Sequence, residues 1–118
     1  MGRKILCVSF DETVCRDRLE ALQQAGYEVT GTLTIDEAFR LLDAEKKFDL
    51  VIIGHRFPKF DKQALISEAR ERWHTPVLLV CGASADADLA ADARVYALQG
   101  LDALVGAVAR LAPGAAAA

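Results

Sequence analysis

Residues 48–54 read Phe48-Asp49-Leu50-Val51-Ile52-Ile53-Gly54. Four aliphatic residues in a row, three of them β-branched, suit a short strand covered on both faces, because a strand with one wet face would alternate apolar and polar positions. Such a strand needs partners above and below the sheet, and the flanking sequence supplies them. On the amino side, Thr34-Ile35-Asp36-Glu37 has the spacing of a capping box, and the helix behind it turns Ala38, Leu41 and Leu42 inward. Before it lies a strand from Tyr27 to Leu33, weakened in the middle by Gly31. A helix over residues 11–24 carries Cys15, Leu19 and Leu22 at i, i+4, i+7 and ends at Ala25-Gly26. Ile5-Leu6-Cys7-Val8 is a second apolar strand. On the carboxyl side, a loop containing Pro58 leads to a helix from Lys62 to Trp73, with Leu65, Ile66 and Ala69 on its inner face. Pro76 opens a strand at Val77-Leu78-Leu79-Val80. An alanine- and aspartate-rich helix over 85–91, a strand at Val95-Tyr96-Ala97-Leu98 and a last helix starting at Gly100 complete the pattern.

This is strand–helix repeated five times. Strands alternating with helices in a chain of 118 residues predict a parallel five-stranded sheet with helices on both faces, a three-layer α/β sandwich with right-handed crossovers. The doubly wound order 2-1-3-4-5 is the common solution at this size. Residues 1–112 are expected to form one domain, with 113–118 a tail or linker stub.

With 53% hydrophobic and 26% charged residues, the chain is expected to fold rather than remain disordered. A net charge of −3 gives no sign of the basic face that a nucleic-acid binder needs. Lys62, Arg70 and Arg72 share a helix with Glu68 and Glu71 and read as a solvated face. Cys7, Cys15 and Cys81 are odd in number and lack CxxC spacing, which suits free thiols in a reducing cytoplasm. No apolar run approaches the roughly 20 residues of a membrane span. No phosphate-binding glycine loop, nucleophile elbow or metal-spaced His/Cys set is present, so neither an enzyme nor a cofactor is expected.

In an open parallel sheet, ligands bind beyond the carboxyl ends of the strands, where the strand order reverses. The residues expected there are Ser9-Phe10-Asp11-Glu12, Gly54-His55-Arg56, Cys81-Gly82 and Gln99. Asp49 falls at the opposite end. Over nearly its whole length the chain resembles a response-regulator receiver domain, of the chemotaxis-receiver kind, with its flavodoxin-like fold. The resemblance rests on Gly26-Tyr27-Glu28-Val29 leading into the second strand and on Phe48 to Ile53 as the third. It rests also on Phe57-Pro58-Lys59-Phe60-Asp61, similar to the family's MPxMD loop, and on Thr75-Pro76-Val77 leading into the fourth strand. The resemblance implies a signalling module of a two-component or phosphorelay system.

It also implies a site that this chain has lost. The family's metal-binding acidic pair falls on Ser9 and Phe10, its phosphoacceptor aspartate on Gly54, its hydroxyl residue on Cys81 and its lysine on Gln99, with Gly100 at the following proline. An acyl phosphate needs a carboxylate, which glycine lacks, and a hard divalent cation needs several oxygens. The expectation is a degenerate, unphosphorylated pseudo-receiver with Phe10 filling the vacated metal pocket and Asp11 capping the first helix. Tyr96, three residues before the lysine position, stands where the family often carries an aromatic switch residue. By the same resemblance, a protein partner or a homodimer contact is expected on the face of the fourth helix, last strand and last helix, with no nucleic acid or membrane bound by this domain. Two alternatives remain open at this stage. One is a ligand- or redox-responsive sensor using Cys81, His55 and Gln99. The other is an orthodox phosphorylated receiver with a misread site. His74, before Thr75-Pro76, reads as a solvated turn residue.

Overall fold

A computed structural model describes residues 3–45, 48–82 and 91–112. The five strands are β1 (Lys4–Val8), β2 (Glu28–Thr32), β3 (Leu50–Ile53), β4 (Val77–Cys81) and β5 (Ala93–Tyr96). The helices are α1 (Glu12–Gln24), α2 (Ile35–Glu45), α3 (Lys59–Trp73) and α4 (Leu101–Leu111), with a 3-10 turn at Ala97–Gln99. The strands form one sheet in the order β2-β1-β3-β4-β5, every pair parallel, as the sequence pattern predicts. The predicted helix at 85–91 lies, apart from Ala91, outside the described residues, as does the tail at 113–118.

The two-residue period of a strand divides the core in two. Leu6, Val8, Val51, Ile53, Val77, Leu79 and Cys81 face one way and meet Ala38 and Leu42 of α2 and Leu65, Ile66 and Ala69 of α3. Ile5, Cys7, Leu50, Ile52, Leu78, Val80 and Val95 face the other way and meet Leu22 of α1 and Leu104, Ala107 and Val108 of α4. β1, β3 and β4 are thus enclosed from both sides, which is why their sequences do not alternate. Gly31 stands in close contact with α1. A Cβ there would stand 2.9 Å from both Cys15 Sγ and Leu19 Cδ1, so α1 lies directly on β2.

Two aspartates clamp the amino end of the sheet. Asp49 accepts from the Lys4 N–H through its carboxylate at 2.8 Å, while its own N–H donates to Lys4 O at 2.7 Å. Asp92 does the same across β4 and β5, accepting from Val77 N–H at 2.7 Å and donating to Val77 O at 3.0 Å. The second clamp sets the start of β5. That strand begins at Ala93, two residues earlier than the periodicity suggests, and ends at Tyr96. Ala97 and Leu98 leave the strand because Gln99 Oε1 accepts the Tyr96 N–H at 2.9 Å and closes a turn.

Helix starts follow expectation at α1, in part at α2, and depart from it at α3. Asp11 caps α1, its Oδ1 accepting from Val14 N–H at 3.0 Å. Thr34 Oγ1 accepts from Glu37 N–H at 3.1 Å, one half of the predicted box. The other half is rerouted: the Glu37 carboxylate takes the hydroxyl of Thr32, and Thr32 Oγ1 accepts from Thr34 N–H at 3.4 Å. α3 starts at Lys59, a turn earlier than expected, directly after Pro58, whose fixed φ of −57° suits a helix entrance. The early start turns Lys62 inward. It is only 2% exposed, and its Nζ donates to His55 O at 2.8 Å, so it is not part of a solvated face. Arg70 and Arg72 are on that face, paired with Asp92 at 3.5 Å and with Asp43 and Glu68 at 2.8 Å each.

Candidate functional site

β1 and β3 end side by side, and the chain leaves them through Ser9 and Gly54. Gly54 N–H still donates to Val8 O at 2.8 Å, and Ser9 N–H to Thr32 O at 3.0 Å, so both residues are held as continuations of the sheet. Beyond them opens a crevice of about 270 Å³ bounded by the first turns of α1, the loop after β3, the end of β5 and the start of α4.

The floor is occupied by a residue that the sequence pattern does not single out. Arg18 of α1 points down onto the strand ends and is 7% exposed. Its Nη1 donates to the buried Ser9 Oγ at 3.2 Å. A Cβ placed on Gly54 would stand 3.4 Å from the same Nη1 and 3.2 Å from Val8 O. The guanidinium therefore fills the ground in front of Gly54. A signal for this exists in the sequence. Arg18 lies three residues after Cys15 and four before Leu22, inside the apolar stripe of α1, where all three are buried. A charged residue at an inward helical position needs a purpose.

The expected site residues divide. Ser9, Phe10 and Gly54 line the crevice, together with Asp11, His55, Arg56 and Tyr96. Cys81 and Gln99 do not. Cys81 is buried on the α2–α3 side of the sheet, its Sγ 4.0 Å from Leu79 O. Gln99 is exposed and turned back onto Tyr96. Cys81, His55 and Gln99 accordingly do not converge. Phe10 does not fill a pocket either. It is 60% exposed and lies edge-on to Phe57, with ring centroids 6.1 Å apart at 77°. Phe57 itself is buried in the α2–α3 layer. His55 is half-buried, with its ring against Gly82.

Below the crevice, burial pushes the Cys7 thiol up to about 11, partly opposed by its contact with Ser9 Oγ at 3.7 Å. Burial also raises Cys15, with contact to Ser9 and the charge of Arg18 acting the other way. Both thiols stay protonated and poorly nucleophilic near neutrality. Among the described residues, no group of three or more His, Cys, Asp or Glu is placed to hold a metal ion.

The sheet order and the helices on both faces match a set of solved structures. A response regulator from Thermotoga maritima is 25% identical, with 94% of this chain and 98% of that one covered and a TM-score of 0.80. The chain has the receiver-domain fold. A response regulator receiver domain from Clostridium thermocellum superposes at a TM-score of 0.81 with 21% identity, covering 92% of this chain and 93% of that one. The response regulator TrrA of Thermotoga maritima, solved in complex with Mg²⁺-BeF, gives a TM-score of 0.77 with 23% identity over 92% and 98% of the two chains. The sequence itself matches no family model and no curated protein. Its receiver fold is therefore carried by the strand order and the core.

Proposed function

We propose that this chain is a receiver-like signalling module of a two-component or phosphorelay system that works without aspartyl phosphorylation, by contact with a protein partner or a second copy of itself. The observation that carries this reading is the Arg18 guanidinium, 3.4 Å from the point where any Gly54 side chain would begin. A receiver needs an anionic acceptor there, and this chain has backbone and a cation. The remaining residues do not fit the Mg²⁺ that the fold family uses. Ser9 Oγ accepts from a guanidinium, Phe10 offers no oxygen, and one oxygen of Asp11 is spent on the helix cap. A hard divalent cation seeks several anionic oxygens, and a positive charge on the crevice floor opposes it. TrrA was solved with Mg²⁺-BeF; this chain is expected to bind neither component at this position.

A domain without chemistry acts through contacts. The end of β5 and the start of α4 carry Tyr96 and Leu101, both partly exposed, with Leu98 between them at 96% exposure. Scattered apolar residues need no explanation, but three within six positions beside the crevice make a docking edge. Among the described residues no helix is long and apolar enough to cross a membrane, which accords with work in the cytoplasm.

The test is incubation of the purified chain with acetyl phosphate and Mg²⁺, and separately with beryllofluoride and Mg²⁺, read by intact mass and by amide NMR. No phosphoryl adduct and no shift at Ser9 or Gly54 are expected; an adduct on an aspartate would overturn the reading. Leu98→Asp is expected to abolish self-association or partner capture with the NMR spectrum otherwise preserved.

A further inference from the structure

The crevice floor holds a cation without an anion. Arg18 is more than nine-tenths buried. Its hydrogen-bond partner is the neutral Ser9 hydroxyl, and no ion pair joins it to a carboxylate among the described residues. A guanidinium does not deprotonate in proteins, and a buried charge lacking a counter-charge is held at a cost that an anion would relieve. Asp11 and Asp17 line the same space but are exposed, and Asp11 is engaged by Val14 N–H. Arg56 adds an exposed cation at the mouth. The walls above Arg18 are apolar, formed by Val14, Tyr96 and Leu101. The volume of about 270 Å³ equals the liquid share of about nine waters.

The geometry points to a ligand site: the crevice takes a small organic monoanion, its carboxylate on Arg18 and Ser9 and its flat apolar body against Tyr96 and Leu101. A planar guanidinium matches a carboxylate in two parallel hydrogen bonds. Ser9 Oγ accepts from Arg18, and to donate to the carboxylate its hydroxyl turns from the Cys7 Sγ contact at 3.7 Å. The rim carboxylates oppose a second negative charge, which favours a monoanion over phosphate. The small volume favours a single ring over a nucleotide. This goes beyond the contact role proposed above and stands on the cavity and Arg18, independently of whether the chain is phosphorylated.

The experiment is an amide-NMR titration of the full chain with three probes: sodium benzoate, benzyl alcohol as its uncharged match, and inorganic phosphate. Benzoate is expected to give saturable shifts at Ser9, Gly54 and Tyr96, with benzyl alcohol and phosphate each weaker by roughly tenfold or more. Arg18→Leu, a good helix former of similar reach, is expected to keep a dispersed spectrum and lose benzoate binding. Should it fail to fold, Arg18→Lys keeps the charge without the planar fork and is expected to bind benzoate several-fold more weakly. Non-saturating benzoate shifts, equal binding of benzyl alcohol, tighter binding of phosphate or undiminished binding by the folded Arg18 variant would each overturn the proposal. The acetyl-phosphate experiment bears only on the preceding reading, so the two fail separately.

Discussion

At Gly54 the missing side chain and the neighbouring charge have to be considered together. An aspartate placed there would meet Val8 O at 3.2 Å and Arg18 Nη1 at 3.4 Å from its Cβ. The carboxylate would pair with the guanidinium, which neutralises it and removes it as a nucleophile. Gly54→Asp alone is therefore expected to remain unphosphorylated by acetyl phosphate, with no phosphoryl gain in intact mass. Phosphorylation is expected only when Ser9→Asp, Phe10→Asp and Arg18→Leu accompany it, since metal oxygens must be supplied and the competing cation removed. Phosphorylation of the single variant would show that Arg18 is no obstacle. The residue scale is also where the sequence is hardest to read. Ser9, Phe10 and Gly54 could be assigned to the crevice from strand spacing alone. Arg18 and Lys62 are harder, because helical periodicity sorts residues by polarity and these two are polar residues on inner faces; for Arg18 the signal is its spacing from Cys15 and Leu22, not its residue type. The side-chain placement of Gln99 is hidden for a different reason. Its placement depends on one side-chain hydrogen bond to Tyr96 N–H, which no pattern reports.

Helix and strand boundaries are decided by local hydrogen bonds, and three of them are open to test. Asp11 satisfies one of the free N–H groups at the start of α1, so Asp11→Ala is expected to cost about 1 kcal/mol in urea unfolding, with Asp11→Ser recovering most of it. At the other end of α3, His74 takes the left-handed conformation at φ 55°, the geometry that glycine adopts without strain. His74→Gly is expected to stabilise the fold by about 0.5–1 kcal/mol, the relief of strain exceeding the added freedom of the unfolded chain. A loss of stability would mean that the exposed imidazole makes a contact of its own. Asp49 links Lys4 N–H to its carboxylate and Arg3 to the same group at 3.6 Å. Asp49→Ala is expected to cost about 1–2 kcal/mol, most of it from the part-buried Lys4 N–H that loses this acceptor at the start of β1. The elements themselves were legible, because long apolar runs and helical stripes sum many weak preferences. Their ends were less so. Pro58 and Asp92 each move a boundary by a turn or a few residues through a single local constraint.

For the molecule as a whole, two apolar layers enclose one sheet, and Cys7 lies at the centre of the α1–α4 layer with no exposure. Its thiol is pushed up to about 11 in the folded chain, from 9.0 when solvated, chiefly because a thiolate there would be desolvated. Below about pH 9 the thiol is neutral in both states and contributes no pH dependence. Between about pH 9 and about pH 11 the unfolded chain releases the proton and the folded chain retains it, so stability falls as pH rises. Two pH units of difference correspond to a loss of about 3 kcal/mol by the upper end of that window. Cys15 is shifted in the same direction by burial and steepens the decline. The informative quantity is the difference between chains, which cancels every group the two have in common. Urea unfolding of the native chain and of Cys7→Ala, followed from pH 8 upward under reducing conditions, is expected to give curves that approach each other across the window. The alanine variant starts lower, having lost packing in a dense core, and loses less per pH unit. Parallel curves would mean that the α1–α4 layer admits water to Cys7, and that the crevice above it is less well sealed from the core than the hydrogen bond between Ser9 and Arg18 implies.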